Sequence, residues 1–132
     1  DRGVDIRHDA SIAQPPWGNP GPTQQVFGAG VHTEELFMAW HFARFTERVT
    51  AAGKREYPLP MFVNAALIRP GYLPGRYVSA GPLPHLIDVW RSGAPSLDFI
   101  APDIYFPNFA EWTGKYVRSG IPLFVVWALF NL

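Results

Sequence analysis

The chain of 132 residues contains no cysteine, and only 17% of its residues are charged. Without cysteine there is no disulfide framework, no thiolate metal site and no thiol nucleophile. Basic and acidic residues balance at 11 each, so the chain lacks the surplus of cations that a nucleic-acid groove or a polybasic membrane patch requires. We therefore predict no nucleic-acid partner.

The sequence also lacks a long apolar run. Its longest, residues 121–130, is interrupted by Pro122 and is much shorter than the ~20 residues that span a bilayer, so we expect no membrane span. The first residues lack the basic start and apolar run of a signal peptide. Because the chain also opens without an initiator Met, we expect it to be a piece of a longer protein, and these features leave its compartment open.

Proline, glycine and aromatic residues are abundant instead, with 14 Pro, 12 Gly and 15% aromatics. Dense Pro and Gly predict an irregular segment over residues 1–32. Apolar residues then recur at helical spacing, which predicts a helix over 34–52. Thr33 is the expected N-cap and Gly53 the expected residue just beyond the end.

Three short apolar runs follow, separated by helical patterns and a Pro/Gly-rich loop. Strands are predicted at 61–66, 97–105 and 122–126, the first buried on both faces, and helices at 85–91 and 109–117. Strands that alternate with helices predict a parallel sheet in an α/β fold. No strand precedes a glycine-rich nucleotide-binding turn, and a complete (β/α)8 barrel needs about 250 residues. If the chain is a barrel, it is therefore less than half of one.

Functional groups in parallel α/β folds gather at the carboxyl ends of the strands. Asn64 stands at the end of the first predicted strand, where its amide either binds a hydroxylated ligand or caps the strand or turns the loop. Asp103 and Tyr105 lie two positions apart and so point the same way from an extended strand. They either bind hydroxyls or orient a catalytic carboxylate; alternatively, Asp103 binds loop backbone amides and Tyr105 packs with Phe106. The four histidines lack metal-ligand spacing, so no metal or other cofactor is predicted.

Several linked motifs of this chain resemble bacterial β-galactosidases of glycoside hydrolase family 35. The resemblance covers roughly residues 26–125. It rests on EELFMAWH from Glu34, AAGK from Ala51, YPLPMFVNA from Tyr57, PGRY from Pro74, GP at Gly81, APDIY from Ala101 and IPLF from Ile121.

The resemblance implies a partial (β/α)8 TIM barrel, with residues 33–125 forming about strands five to seven and their connecting helices. These enzymes are retaining glycosidases, which need two carboxyl groups ~5–5.5 Å apart. The acid/base Glu would precede Asp1. The nucleophile should follow Phe124, but Val126 stands where Pro is expected and Trp127 where Glu is expected. No catalytic residue is therefore assigned, and residues 126–132 form an aberrant tail that resembles a shifted reading frame.

The supporting residues of the site are implied by the same resemblance. Tyr105 matches the tyrosine that hydrogen-bonds the nucleophile, and Asn64 is a sugar-contact candidate. Tyr77 and Ser79 lie on the loop that would lean over the pocket, and Asp103 matches the motif with its role left open.

The expected function is that of a fragment of a β-galactosidase-like hydrolase, inactive by itself. In the full-length protein it would act on a β-galactoside or oligosaccharide, and full-length relatives are expected to be periplasmic or secreted. Two alternatives remain: a non-catalytic carbohydrate-binding or interaction domain, and a fragment of a family 42 or family 5-like hydrolase.

Overall fold

The computed structural model describes residues 23–117 and 122–128. Its elements are, in chain order, α1 (Thr23–Phe27), α2 (Val31–Glu56), β1 (Phe62–Ala65), α3 (Ile87–Gly93), β2 (Phe99–Ile104), α4 (Phe109–Tyr116) and β3 (Trp127–Ala128). This order confirms the predicted alternation of helices and strands. Residues 1–22 of the irregular segment, residues 118–121 and tail residues 129–132 lie outside the described residues.

The long predicted helix is confirmed as α2, but its predicted start is wrong. The helix begins after Gly30, whose φ of 148° favours glycine. Thr33 is not the N-cap; it lies inside the first turn, and its hydroxyl donates to the backbone oxygen of Phe27 at 3.4 Å. Because α1 and the start of α2 are helical, residues 23–32 are also less irregular than predicted.

The predicted end of this helix is also wrong. Gly53 lies within α2 rather than beyond it, because the backbone N–H of Tyr57 donates to the Gly53 oxygen at 2.8 Å and the helix continues to Glu56. A Cβ at Gly53 would lie 3.1 Å from the Met61 side chain, so the glycine allows the chain to return close to the helix on its way into β1.

The three strands form a parallel sheet in the order β1-β2-β3. Phe62 pairs with Phe99 and Asn64 with Ala101, and Asp103 pairs with Trp127. The third strand begins further along the chain than predicted. Residues 122–126 contribute a single β-bridge through Leu123, and regular pairing begins only at residue 127.

Helices cover one face of this sheet. Ala65 and Ile100 of the strands pack with Ile87 of α3 and Tyr116 of α4, and Ile104, the last residue of β2 on the same face, is fully buried. A second buried cluster joins α2, α3 and the loop before α3. Its members are Ala39, Trp40, Ala43, Ala80, Leu83, Leu86, Val89, Trp90 and Ala94.

The opposite face is open. The rings of Phe62, Phe99 and Phe124 lie on it in mutual contact, with centroids 5.5–5.8 Å apart, yet Phe62 is 46% exposed and Phe124 47%. Asn64 is exposed as well. The prediction that the first strand is buried on both faces is therefore wrong, because β1 is an edge strand and the helices pack on its other side.

Candidate functional site

Two of the predicted site residues meet at the carboxyl end of the open face. The side-chain amide of Asn64 donates to the Asp103 carboxylate at 2.8 Å and to the backbone oxygen of Ala101 at 2.9 Å. Both residues lie on the open face because β1 and β2 are paired in register and alternate residues share a face. We call Asn64 and Asp103 the strand-end pair.

Tyr105 follows directly after β2 and is 50% exposed. Its hydroxyl makes no hydrogen bond to any residue that the structure describes. The alternative prediction that Tyr105 packs with Phe106 is not supported, because the Phe106 ring contacts Trp112 instead, at 4.9 Å between centroids. The Tyr105 phenol thus remains available to a ligand beside the strand-end pair.

Tyr77 and Ser79 lie on the loop between β1 and α3, and no hydrogen bond joins them to the strand-end pair. The Ser79 hydroxyl accepts from the backbone N–H of Gly75 at 2.7 Å and donates to the backbone oxygen of Tyr77 at 3.0 Å. Ser79 therefore holds the loop in shape. The Tyr77 hydroxyl donates to Glu35 of α2, at 3.1 and 3.2 Å to the two carboxylate oxygens.

Glu35 is the centre of a second polar group, which the sequence analysis missed. Its side chain is only 2% exposed. Besides the Tyr77 hydroxyl, its carboxylate accepts from the backbone N–H of Ala80 at 3.2 Å and lies 2.9 Å from Nε2 of His85. We call these four residues the Glu35 cluster; it ties the start of α2 to the loop before α3.

A signal for this burial was present in the sequence. Glu35, Ala39 and Ala43 recur every four residues and so lie on one stripe of the helix, and both alanines are fully buried. The helix position alone suggested only that an acidic residue is stable in the first turn. Which donors meet the carboxylate depends on a loop more than 40 residues away in the sequence.

Ala80 has a left-handed backbone, with φ of 65°, which is unfavourable for a residue other than glycine. Its N–H donates to Glu35, and its oxygen accepts from the indole N–H of Trp90 at 3.1 Å. Two buried partners therefore hold this residue in its strained conformation, and the loop end is firmly placed.

Two tyrosines have perturbed acidity. Burial, followed by the hydrogen bond and the charge of Glu35, raises the pKa of Tyr77 to about 12. Burial and the charge of Asp103 raise the pKa of Tyr116 above its usual range. Among the described residues the buried Tyr116 hydroxyl has no hydrogen-bond partner.

In the part of the chain that the structure describes, residues 23–117 and 122–128, no group of three or more His, Asp or Glu side chains could hold a metal ion. No helix within it combines the length and hydrophobicity that crossing a bilayer requires.

No protein-family model matches this chain, and no curated protein is significantly similar to it. The resemblance to glycoside hydrolase family 35 therefore depends on the linked motifs of the sequence itself.

Proposed function

We propose that this chain is part of a β-galactosidase-like glycoside hydrolase, contributing about strands five to seven of a (β/α)8 barrel and inactive by itself. The observation that carries the proposal is the strand-end pair. A hydrogen-bonded amide and carboxylate lie on the open face of a parallel sheet, at the end of the strands where such folds bind ligands.

The one-sided covering of the sheet supports a barrel over a doubly wound fold. A doubly wound sheet has helices on both faces, whereas in a barrel the second face lines the interior. Here the helices pack on the face that contains Ala65 and Ile100. The other face carries apolar rings at the start of the strands and polar groups at their end, as a barrel interior with a polar mouth requires.

The same geometry supports the expected loss of catalysis. Asp103 pairs directly with Trp127, so the position expected to hold the nucleophile lies beside the strand-end pair. An indole cannot attack an anomeric carbon to form a glycosyl ester, whereas a retaining mechanism needs a carboxylate there. In this proposal Asn64, Asp103 and Tyr105 bind sugar hydroxyls without cleaving the glycosidic bond.

The test is to measure binding and turnover on the same purified chain. We expect galactose to perturb the amide resonances of Asn64 and Asp103 saturably in nuclear magnetic resonance spectra. We expect the chain to hydrolyse a chromogenic β-galactoside no faster than buffer does. Asn64→Ala should abolish the perturbation, whereas Asn108→Ala, at an exposed asparagine before α4, should leave it unchanged. Saturable binding with turnover would refute the inactivity, and absence of binding would refute the sugar site.

A second candidate is a non-catalytic carbohydrate-binding domain, favoured by the exposure of Tyr105 at 50% and of Tyr72 at 60%. Flat rings at a polar surface stack on the apolar faces of sugars. The coding DNA distinguishes the two candidates: a Pro-Glu in another reading frame after the codon of Val125 supports the hydrolase, and its absence favours the binding domain.

A further inference from the structure

The loop after β1 contains two consecutive Pro-Gly turns. Arg69 to Tyr72 and Leu73 to Arg76 each place Pro second and Gly third, and each closes with a backbone hydrogen bond of 3.0 Å from the fourth residue to the first. Gly71 and Gly75 have φ of 80° and 88°, as the third position of a type II turn requires. Two arginines therefore stand at the outer ends of a tandem turn.

The tandem turn brings these arginines to one groove. Arg69 and Arg76 both line a shallow depression of about 410 Å³, together with Leu67, Tyr77 and Val78. Neither guanidinium forms an ion pair with a carboxylate of the described residues. The groove therefore presents two uncompensated positive charges on the loop that follows the carboxyl end of β1.

The wall of the groove is fixed before any ligand binds. Tyr77 is anchored through its hydroxyl to the buried carboxylate of Glu35, and the next turn is closed by the bond between Gly75 and Ser79. A rigid cationic site loses less conformational entropy on binding than a flexible one. Arginine is also the side chain best suited to oxyanions, because its planar guanidinium donates two parallel hydrogen bonds.

We propose that this groove binds an oxyanion, the carboxylate or phosphate group of a sugar ligand, and that Arg69 and Arg76 are its specificity-determining residues. The sugar part of the ligand rests on the proposed function. The site would select acidic sugars over neutral ones, because only an anionic substituent compensates both guanidinium groups.

The test is to titrate the full chain with galactose, galacturonate, galactose 6-phosphate and inorganic phosphate at constant ionic strength, following amide resonances. We expect the acidic sugars to bind roughly tenfold more tightly than galactose, as charge-assisted hydrogen bonds predict. Arg76→Gln and Arg69→Gln should each abolish that preference. Arg55→Gln, at an exposed arginine of α2 away from the groove, makes the same change in net charge and should preserve it.

The outcomes separate this inference from the proposed function. Equal affinity for galactose and galacturonate overturns the oxyanion site and leaves the sugar site standing. Binding of inorganic phosphate that is lost in Arg76→Gln, without binding of any sugar, supports the oxyanion site and overturns the sugar site. A preference for acidic sugars that persists in both groove variants overturns the assignment to Arg69 and Arg76.

Discussion

Side chains of the same kind differ in solvent exposure between the two faces of the parallel sheet. On the covered face Ile104 is fully buried, whereas on the open face Phe62 is 46% exposed although it contacts two other rings. Polar groups differ likewise: Glu35 of α2 is buried among donors, whereas in the strand-end pair Asn64 is exposed and Asp103 half-buried. Stability is thus concentrated on one face, and the other is free to bind.

The difference follows from the connections between the strands. β1 is followed by α3 and β2 by α4, and both helices return to the same side of the sheet, so they bury the side chains of alternate positions. Of the remaining positions, Phe62 and Asn64 of the edge strand β1 stay exposed, whereas Ala101 of the central strand β2 is fully buried.

The largest expected effect separates the two faces directly. Ile104→Ala should lower the free energy of unfolding by about 3 kcal/mol, because it leaves a cavity in a packed region. Phe62→Ala should cost only about 1 kcal/mol, the scale of lost ring contacts. Urea unfolding of both variants measures the ratio. Equal costs would mean that the open face is covered in solution.

The next effect concerns the buried polar group. Glu35→Gln should destabilise the chain by about 2 kcal/mol, because an amide cannot accept from all the donors around it. Glu34→Gln, at the exposed neighbour, is the matched control. Glu35→Gln should also lower the pKa of Tyr77 from about 12 towards 10.0, since it removes the charge and weakens the hydrogen bond that contribute to raising this pKa.

Tyr77 also gives this region a pH dependence. Its pKa in the folded chain lies above the ordinary value of 10.0, so the unfolded chain loses the proton first and stability falls as the pH rises from about 10 to about 12. Unfolding free energies measured across that window should fall less steeply in Tyr77→Phe. An identical slope in that variant would contradict the assignment.

A smaller effect is expected at the strand-end pair. Asn64→Asp replaces a donor to Asp103 with a second carboxylate, and we expect a loss of about 1 kcal/mol at neutral pH. Acidification to about pH 3, below the usual carboxyl pKa of about 4, should restore most of that loss. Asn64→Ala lacks the added charge and should show no such recovery in thermal unfolding.

The smallest effect is expected at Tyr105. Because its hydroxyl has no hydrogen-bond partner among the described residues, Tyr105→Phe should change stability by less than about 0.5 kcal/mol. Under the proposed function the same variant should weaken galactose binding about fivefold, as expected for one lost hydrogen bond. A stability loss without an effect on binding would make Tyr105 a structural residue.

Local patterns predicted the elements well and their ends less well. Helical spacing located α2. Its boundaries were predicted wrongly from Thr33 and Gly53, because capping preferences compete with the path of the neighbouring chain. An apolar run located β1, yet apolarity alone cannot distinguish a strand buried on both faces from an edge strand with an open ring cluster.

The candidate site was predictable in part for the same reason. Asn64 and Asp103 meet because they lie near the carboxyl ends of the paired parallel strands β1 and β2, where functional groups were expected to gather. The Glu35 cluster was missed because its members come from α2 and from a loop that no periodicity describes.

The sequence by itself determined the elements from α2 to α4 and which polar residues stand at the ends of β1 and β2, since spacing and turn chemistry are local. It did not predict α1 or the position of β3. Only the tertiary structure decided which face the helices cover, why Glu35 is buried, and that Arg69 and Arg76 share one groove. Those outcomes depend on contacts between residues distant in the chain, where packing and desolvation outweigh local preference.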